Sequence, residues 1–211
     1  DVSWENSSRF HVAYNPVIMK GKTAHKEIEE NTFWPRSNVK KILNIGSLTP
    51  QKNQALLIKA FSILKKDVDA FLIILGAGDM HDELLSLAKD EGVEDSILML
   101  GFVSDPSLYY QTADLFVLSS DYEGLPTVLI EALSFGMRIV STDCPSGPSE
   151  ILEHGQFGIL SPVGDVMSLA KSMERSFYEN PEAERLKARA ECFSPSVSTA
   201  KYIDLLFSEK K

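Results

Sequence analysis

Cysteine is scarce in this sequence: Cys144 and Cys192 are the whole complement of a 211-residue chain. Two thiols in unlike contexts argue against a disulfide framework and show no metal-ligand spacing, so both are expected to be reduced, as in a cytosolic protein. Long apolar runs are missing as well. No stretch approaches the roughly 18 residues that a membrane-spanning helix needs, and the polar start DVSWENSSRF does not read as a signal peptide. Basic charge is in deficit, with 21 Lys and Arg against 30 Asp and Glu, a net charge of -9. A surface of that sign is ill suited to nucleic acid or an acidic lipid leaflet, so any bound anion must be drawn by local groups. Internal repeats and low-complexity tracts are also absent, which sets aside solenoid and fibrous architectures.

What remains is the composition of a soluble globular protein, 44% hydrophobic and 24% charged, with length for one sizeable domain and ragged ends. Residues 1–40 are polar and aperiodic, broken by YNPV and FWPR; Phe33 and Trp34 read as packing anchors there. From residue 41 short apolar runs (KILNI, AFLIIL, ILML, LFVLS, RIVST) read as buried parallel strands. Between and after them lie helix-period segments: Gln54 to Lys65, Met80 to Glu91, a short one near Pro106 to Thr112, Pro126 to Phe135, Asp165 to Tyr178, Pro181 to Cys192 and Ser196 to Phe207. Such alternation predicts an α/β, Rossmann-like doubly wound parallel sheet with helices on both faces. Ligands of such sheets bind at the carboxyl ends of the strands, where strand order reverses.

The loops after the strands are therefore where chemistry is expected. The first, GSLTPQKN, has Gly46 for close backbone approach and Lys52 just before a helix N-terminus, where amides and dipole already favour an anion. A diphosphate would suit it; a tight turn with a solvated lysine would too. It lacks the spacing of a Walker loop. In LGAGDMHDEL, Gly76 and Gly78 begin a dinucleotide fingerprint, but His81 stands where its third glycine belongs. That loop is expected to be a close turn capped by Asp79, with His81 on the surface. In LGFVSDPSLYY, Gly101 to Val103 are able to present backbone to a flat base, and Ser104 or Asp105 to cap the next helix. The last loop, STDCPSGPSEIL, opens a helix at Gly147 or Pro148 and borders the same cleft; Cys144 has no visible base beside it and is not expected to be a nucleophile. His11, His25 and His154 lie in polar or turn segments and are assigned no role.

The stretch SSDYEGLPTVLIEALSFG, residues 119–136, carries the strongest signal. Pro126 near the helix start follows the first-turn preference of proline. The amides of Thr127 and Val128 are then open to a phosphate. Glu131 lies one turn further in, roughly 6 Å along the axis at 1.5 Å per residue, where it suits a ribose attached to that phosphate. A carboxylate accepting from two adjacent hydroxyls parallels the acidic residue of dinucleotide sites. The neighbours of Glu131 are almost wholly apolar, so its charge needs a partner. Glu123, ahead of the turn, faces the other end of the ligand.

Taken together these motifs resemble the family 4 retaining glycosyltransferases, specifically their C-terminal nucleotide-sugar-binding domain, one half of the two-domain GT-B architecture. The Glu-x7-Glu motif EGLPTVLIE is the most specific element; GSLTPQKN, GAGD, LGFVSD, ADLFVLSS, STDCPSGPSEIL, GILSPVGD and FSPSVSTAKY follow in the family's order. The resemblance implies that Glu131 binds the ribose hydroxyls, and that Glu123 with the backbone of Gly124 and Leu125 contacts the donor sugar. Around the Pro126 turn, Thr127 and Val128 meet the phosphates, Lys52 offsets their charge, and Val103 touches the base through its backbone. Glu123 and Lys52 are the catalytic candidates. The family usually has arginine at Ser47, which leaves Lys52 as the main cation beside Gly46. The implied donor is a UDP- or GDP-type sugar, with no cofactor and no bound metal. The implied acceptor is a glycan or a lipid-linked chain of surface polysaccharide synthesis.

Residues 1–17 are then expected to be the remnant of an N-terminal acceptor domain and its linker, 18–195 the donor-binding domain, and 196–211 a helix that crosses back to that missing domain. The chain is expected to bind donor without turnover and to leave apolar surface on its last helix exposed or covered by a second copy. The location implied is cytoplasmic, with the full-length protein at most peripheral to the inner face of the membrane. Two other classes share the architecture. One is the GT-B nucleotide-sugar epimerases, though no histidine stands at the EGLPT turn; the other is a non-catalytic nucleotide-binding domain, which Ser47 would suit.

Overall fold

The computed structural model describes residues 13–17, 34–35 and 38–207. Phe33, His11, His25 and the first twelve residues lie outside the described residues. Six strands form one sheet: β1 (Lys40–Ile45), β2 (Ala70–Leu75), β3 (Ile97–Met99), β4 (Leu115–Leu118), β5 (Arg138–Thr142) and β6 (Ile159–Ser161). Their order is β3-β2-β1-β4-β5-β6 and every pairing is parallel. The chain moves outward from β1 in one direction through β3, then returns to place β4 on the other side of β1. That reversal puts the switch point between β1 and β4. The sixth strand comes from GILSP, a run too short for periodicity to mark.

Among the described residues eight helices accompany the sheet: α1 (Gln54–Leu64), α2 (His81–Asp90), α3 (Ser107–Thr112), α4 (Thr127–Ser134), α5 (Pro148–Ile151), α6 (Val166–Ser176), α7 (Ala183–Glu191) and α8 (Pro195–Phe207). Successive strand residues point to opposite faces, and the core divides accordingly. Leu43, Ile73, Phe116 and Ile139 join the cluster that holds Leu129 and Leu133 of α4 and Leu186 of α7. Ile42, Leu72, Ile74, Leu115, Val117 and Val140 join the cluster built on α1, α2 and α6. The inner strands are buried on both faces, which is why they read as unbroken apolar runs without alternation; β3, expected to be buried, lies at the sheet edge with Leu98 36% exposed.

Trp34 is 1% exposed; its indole donates to Thr112 Oγ1 at 3.0 Å and its ring meets Phe71 edge-on. Upstream, the Val17 amide donates to the Phe193 carbonyl and Tyr14 packs on the Phe193 ring, fixing residues 13–17 beside the end of α7. The α8 helix differs from the rest: Val197, Ile203, Leu206 and Phe207 are all exposed.

Two expectations about helix starts need correction. Asp79 does not cap α2, whose N-terminus makes no side-chain capping bond, because the sharp turn at Gly76 to Gly78 already ties the loop down through backbone bonds. Pro126 stands at the cap of α4, outside the first turn, with ψ of 91°. Its missing N–H costs nothing there, since a cap amide has no helical acceptor.

Candidate active site at the β1 and β4 switch point

The first loop leaves β1 through Gly46, runs through a 3-10 turn at Pro50–Lys52, and enters α1 by way of Asn53. Asn53 takes a left-handed conformation with φ of 45°, which asparagine tolerates well. Its side chain caps α1 by accepting from Leu56 N at 3.0 Å and donates to Asp121 Oδ1 at 2.7 Å. That last bond crosses to the loop after β4. Further links join the same two loops: the Asp121 amide to the Gln51 carbonyl, Gln51 Nε2 to the Tyr122 carbonyl, and Ser119 Oγ to the Lys52 carbonyl. The two loops thus form one rigid rim across the switch point.

At the centre of that rim Lys52 Nζ meets Glu123 Oε1 at 2.7 Å, with the Glu123 side chain only 6% exposed and Lys52 22% exposed. Ser120 Oγ donates to the same carboxylate oxygen at 2.6 Å, and the Ser120 carbonyl accepts from Thr142 Oγ1 at 2.6 Å. A buried carboxylate requires such partners; the loops after β1 and β4 supply Lys52 and Ser120, and Thr142 at the end of β5 holds the Ser120 backbone. Gly46 lies against the Lys52 stem. Ser47 is exposed, and its carbonyl accepts from Gln54 Nε2 at 3.1 Å.

Glycine shapes the flanks. Gly76, at φ of 148°, and Gly78 pack so tightly on the first loop that a Cβ on either would run into the Gly46 or Leu48 carbonyl oxygen. The G-x-G pair therefore serves close approach between loops. Gly147, at φ of 91°, does the same for the EGLP turn: a Cβ there would overlap the Pro126 ring and reach within 2.7 Å of the Gly124 carbonyl oxygen. The Glu123 amide also donates to the Pro145 carbonyl at 3.2 Å. Gly124 itself has nothing within 4 Å of a would-be Cβ.

The α4 helix begins at Thr127, exposed, and Val128, half-buried. Leu129 N already donates to the Pro126 carbonyl, whereas Thr127 and Val128, the first two helical amides, have no carbonyl inside the helix to meet. Leu125, Val128 and Val103 are partly buried against the core face that α4 covers. Glu131 is half-buried, and Tyr110 OH donates to its Oε2 at 3.1 Å. Tyr110 is 2% exposed, and its hydroxyl is pushed well above the usual phenol range by burial first, then by the Glu131 charge and their hydrogen bond. It stays protonated and therefore a donor.

The loop after β3 holds Asp105, which accepts from the Ser107 amide and hydroxyl at the start of α3. Cys144 is buried and burial raises its thiol pKa, which disfavours the thiolate. His81 lies at the surface against Asp82, and His154 against Ser149. Two cavities, one of about 300 Å³ between β5, β6 and α7 that His154 helps to line and one of about 480 Å³ at the amino end of β1, include none of Lys52, Glu123 and Glu131 in their lining.

The structure thus brings Gly46, Ser47, Lys52, Glu123, Gly124, Leu125, Pro126, Thr127, Val128 and Glu131 to the carboxyl ends of β1 and β4. Val103 stands on the outer loop beside α3. Sequence reading missed Tyr110, Ser120 and Thr142. Only the last two sat near a visible signal, a run of small hydroxyl residues at strand ends.

The six-stranded parallel Rossmann-like sheet with its flanking helices matches GT-B glycosyltransferase structures. The lipopolysaccharide outer core galactosyltransferase WaaB in its apo form superposes with a TM-score of 0.78 at 23% identity, covering 94% of this chain and 56% of that one. Anabaena HepE in complex with UDP and glucose gives 0.73 at 25% identity, covering 81% and 49%. The sequence model of the glycosyl transferases group 1 family matches residues 26–192, and the chain belongs to that family, as a GT-B glycosyltransferase C-terminal domain. Among relatives, the N-acetylgalactosamine-N,N'-diacetylbacillosaminyl-diphospho-undecaprenol 4-alpha-N-acetylgalactosaminyltransferase of Campylobacter jejuni is 38% identical over 155 residues, 70% of this chain and 42% of the relative. The lipopolysaccharide core biosynthesis glycosyltransferase LpsE of Rhizobium meliloti is 30% identical over 173 residues, 80% of this chain and 50% of the relative. The chain spans half or less of the length of these two relatives. No helix among the described residues is long and apolar enough to cross a membrane.

Proposed function

We propose that this chain is the donor-binding half of a family 4 retaining glycosyltransferase, which transfers a hexose from a nucleotide-diphosphate sugar to a glycan or lipid-linked acceptor in surface polysaccharide synthesis. The observation that carries this reading is the Lys52–Glu123 pair, which spans the switch point beside the open amide tip of α4. Thr127 and Val128 amides take the diphosphate, with Lys52 as the nearby cation. Glu131 accepts from the ribose hydroxyls. Glu123, with Gly124 and Leu125, lies toward the sugar.

When the bond from the anomeric carbon to the diphosphate oxygen breaks, the negative charge stays on the diphosphate. A fixed ammonium and two oriented amides stabilise that charge more than they stabilise the ground state. No metal and no cofactor is required in this scheme, because Lys52 and the helix tip supply the positive potential. UDP is the favoured nucleotide, since HepE of this fold is seen with UDP and glucose. A lipid-linked or polysaccharide acceptor is favoured by the Campylobacter and Rhizobium relatives.

Calorimetric titration with UDP, GDP and ADP tests the reading. Binding of at least one, weakened by on the order of 1–3 kcal/mol in Glu131→Ala, is the expected result. Binding of none would overturn it in favour of a non-catalytic scaffold.

A further inference from the structure

We propose that Tyr110 is the positioning residue that aims Glu131 at the ribose, so that the nucleotide's sugar is recognised by a tyrosine-glutamate pair and not by the glutamate alone. This rests on the donor-site reading above. Tyr110 lies on α3 and Glu131 on α4, and the phenol donates to Glu131 Oε2 at 3.1 Å and toward the Val128 carbonyl at 3.4 Å. The ring has no freedom to wander: it stacks on Phe135 with centroids 5.2 Å apart and planes 11° from parallel, and tilts against Phe116 at 5.8 Å. Phe135 follows Glu131 by one turn of the same helix, so the ring is registered to the helix that carries the carboxylate.

A carboxylate has about four lone-pair sites. The bond from Tyr110 engages Oε2 from the buried phenol and restrains the side-chain torsions, which sets the direction in which the carboxylate would meet a ribose. Two adjacent ribose hydroxyls need that fixed orientation, because a freely rotating glutamate would lose side-chain entropy on binding. Contact with Val128 adds a second consequence. The Val128 amide belongs to the tip that takes the diphosphate, so one buried hydroxyl braces both the ribose acceptor and the residue that meets the phosphates.

The test is a titration of the 211-residue chain with UDP, GDP and their 2′-deoxy counterparts, read as the ribose-to-deoxyribose affinity ratio, with melting temperatures alongside. The wild-type chain is expected to prefer the ribonucleotide about tenfold, and Glu131→Ala to abolish that preference. Tyr110→Phe keeps the stacked ring and removes only the hydroxyl. It should lower the ratio severalfold by weakening the ribonucleotide while leaving the deoxynucleotide nearly unchanged. Phe135→Leu, which keeps the hydroxyl and loosens its aim, should lower the ratio by less, and this serves if Tyr110→Phe does not fold. A ratio unchanged in Tyr110→Phe while Glu131→Ala abolishes it sinks the positioning role alone. Equal weakening of both nucleotides means a merely structural tyrosine and sinks it likewise. If the ratio is insensitive to Glu131→Ala, or no nucleotide binds, the donor-site reading fails and this proposal goes with it.

Discussion

Lys52 and Glu123 hold each other at 2.7 Å, but the two have unequal shares of water. Removing the lysine leaves a carboxylate on a side chain that is 6% exposed, with Ser120 still donating to it. Removing the glutamate's charge leaves an ammonium that still reaches solvent. Lys52→Ala is therefore expected to lower unfolding free energy by about 1–3 kcal/mol, and Glu123→Gln by less than about 1 kcal/mol. Urea denaturation of both variants checks the order; equal losses would show that the pair is not desolvated as described. Ser47 is exposed on the same rim, so an arginine there has room. Ser47→Arg should tighten UDP binding by about 1.5–3 kcal/mol through a charge-assisted contact to phosphate. No gain in calorimetry would mean the diphosphate lies away from this loop. At this scale Glu123, Glu131 and Lys52 were legible, because a carboxylate inside an apolar helix and a lysine before a helix start are chemically conspicuous. Tyr110 was not. In LYYQT it reads as one more aromatic of a short helix, and its tie to Glu131 depends on how α3 packs on α4, which local sequence does not encode.

Elements, unlike single side chains, were almost wholly visible, since runs buried on both faces and helix-period segments alternate with short loops. What the pattern hid was how the loops lock together. Gly147 carries no chemistry, yet φ of 91° and the overlap a Cβ would make with Pro126 place it under the EGLP turn. Gly147→Ala is expected to cost about 1–3 kcal/mol from backbone strain and to weaken nucleotide binding by displacing that turn. Gly124→Ala, with open space around it and no positive φ, should leave the melting temperature unchanged. Thermal unfolding of the two side by side decides the matter: a stable Gly147→Ala would mean the turn is not braced from below. The G-x-G pair at Gly76 shows the same limit of sequence reading, for glycines kept for loop-to-loop packing look identical to glycines kept for a ligand.

At the scale of the whole molecule, the outer turn of α8 is an apolar stretch of the described surface that packs on neither core cluster. On α8, Leu206 is 73% and Phe207 75% exposed, while the same helix buries Ser198 near its start. The inner end of the helix belongs to this domain's fold; its outer end contributes nothing to the domain's core. The double variant Leu206→Ser, Phe207→Ser should thus keep unfolding free energy within about 0.5 kcal/mol of wild type, and a loss above that would assign the outer turn to this core. The proposed nucleotide site has the same one-sided character. Its acids, amides and lysine come from the loops that follow β1 and β4 and from α4, and in the proposed function they serve a donor. The proposed function thus assigns residues to the donor and none to orienting an acceptor hydroxyl. Positioning of that second reactant is worth orders of magnitude in rate. The 211-residue chain is accordingly expected to bind UDP and yet transfer no hexose when incubated with UDP-sugar and a lipid-linked acceptor. Product formation at an ordinary enzymatic rate, with binding intact, would show that the residues gathered around Glu123 suffice for both substrates.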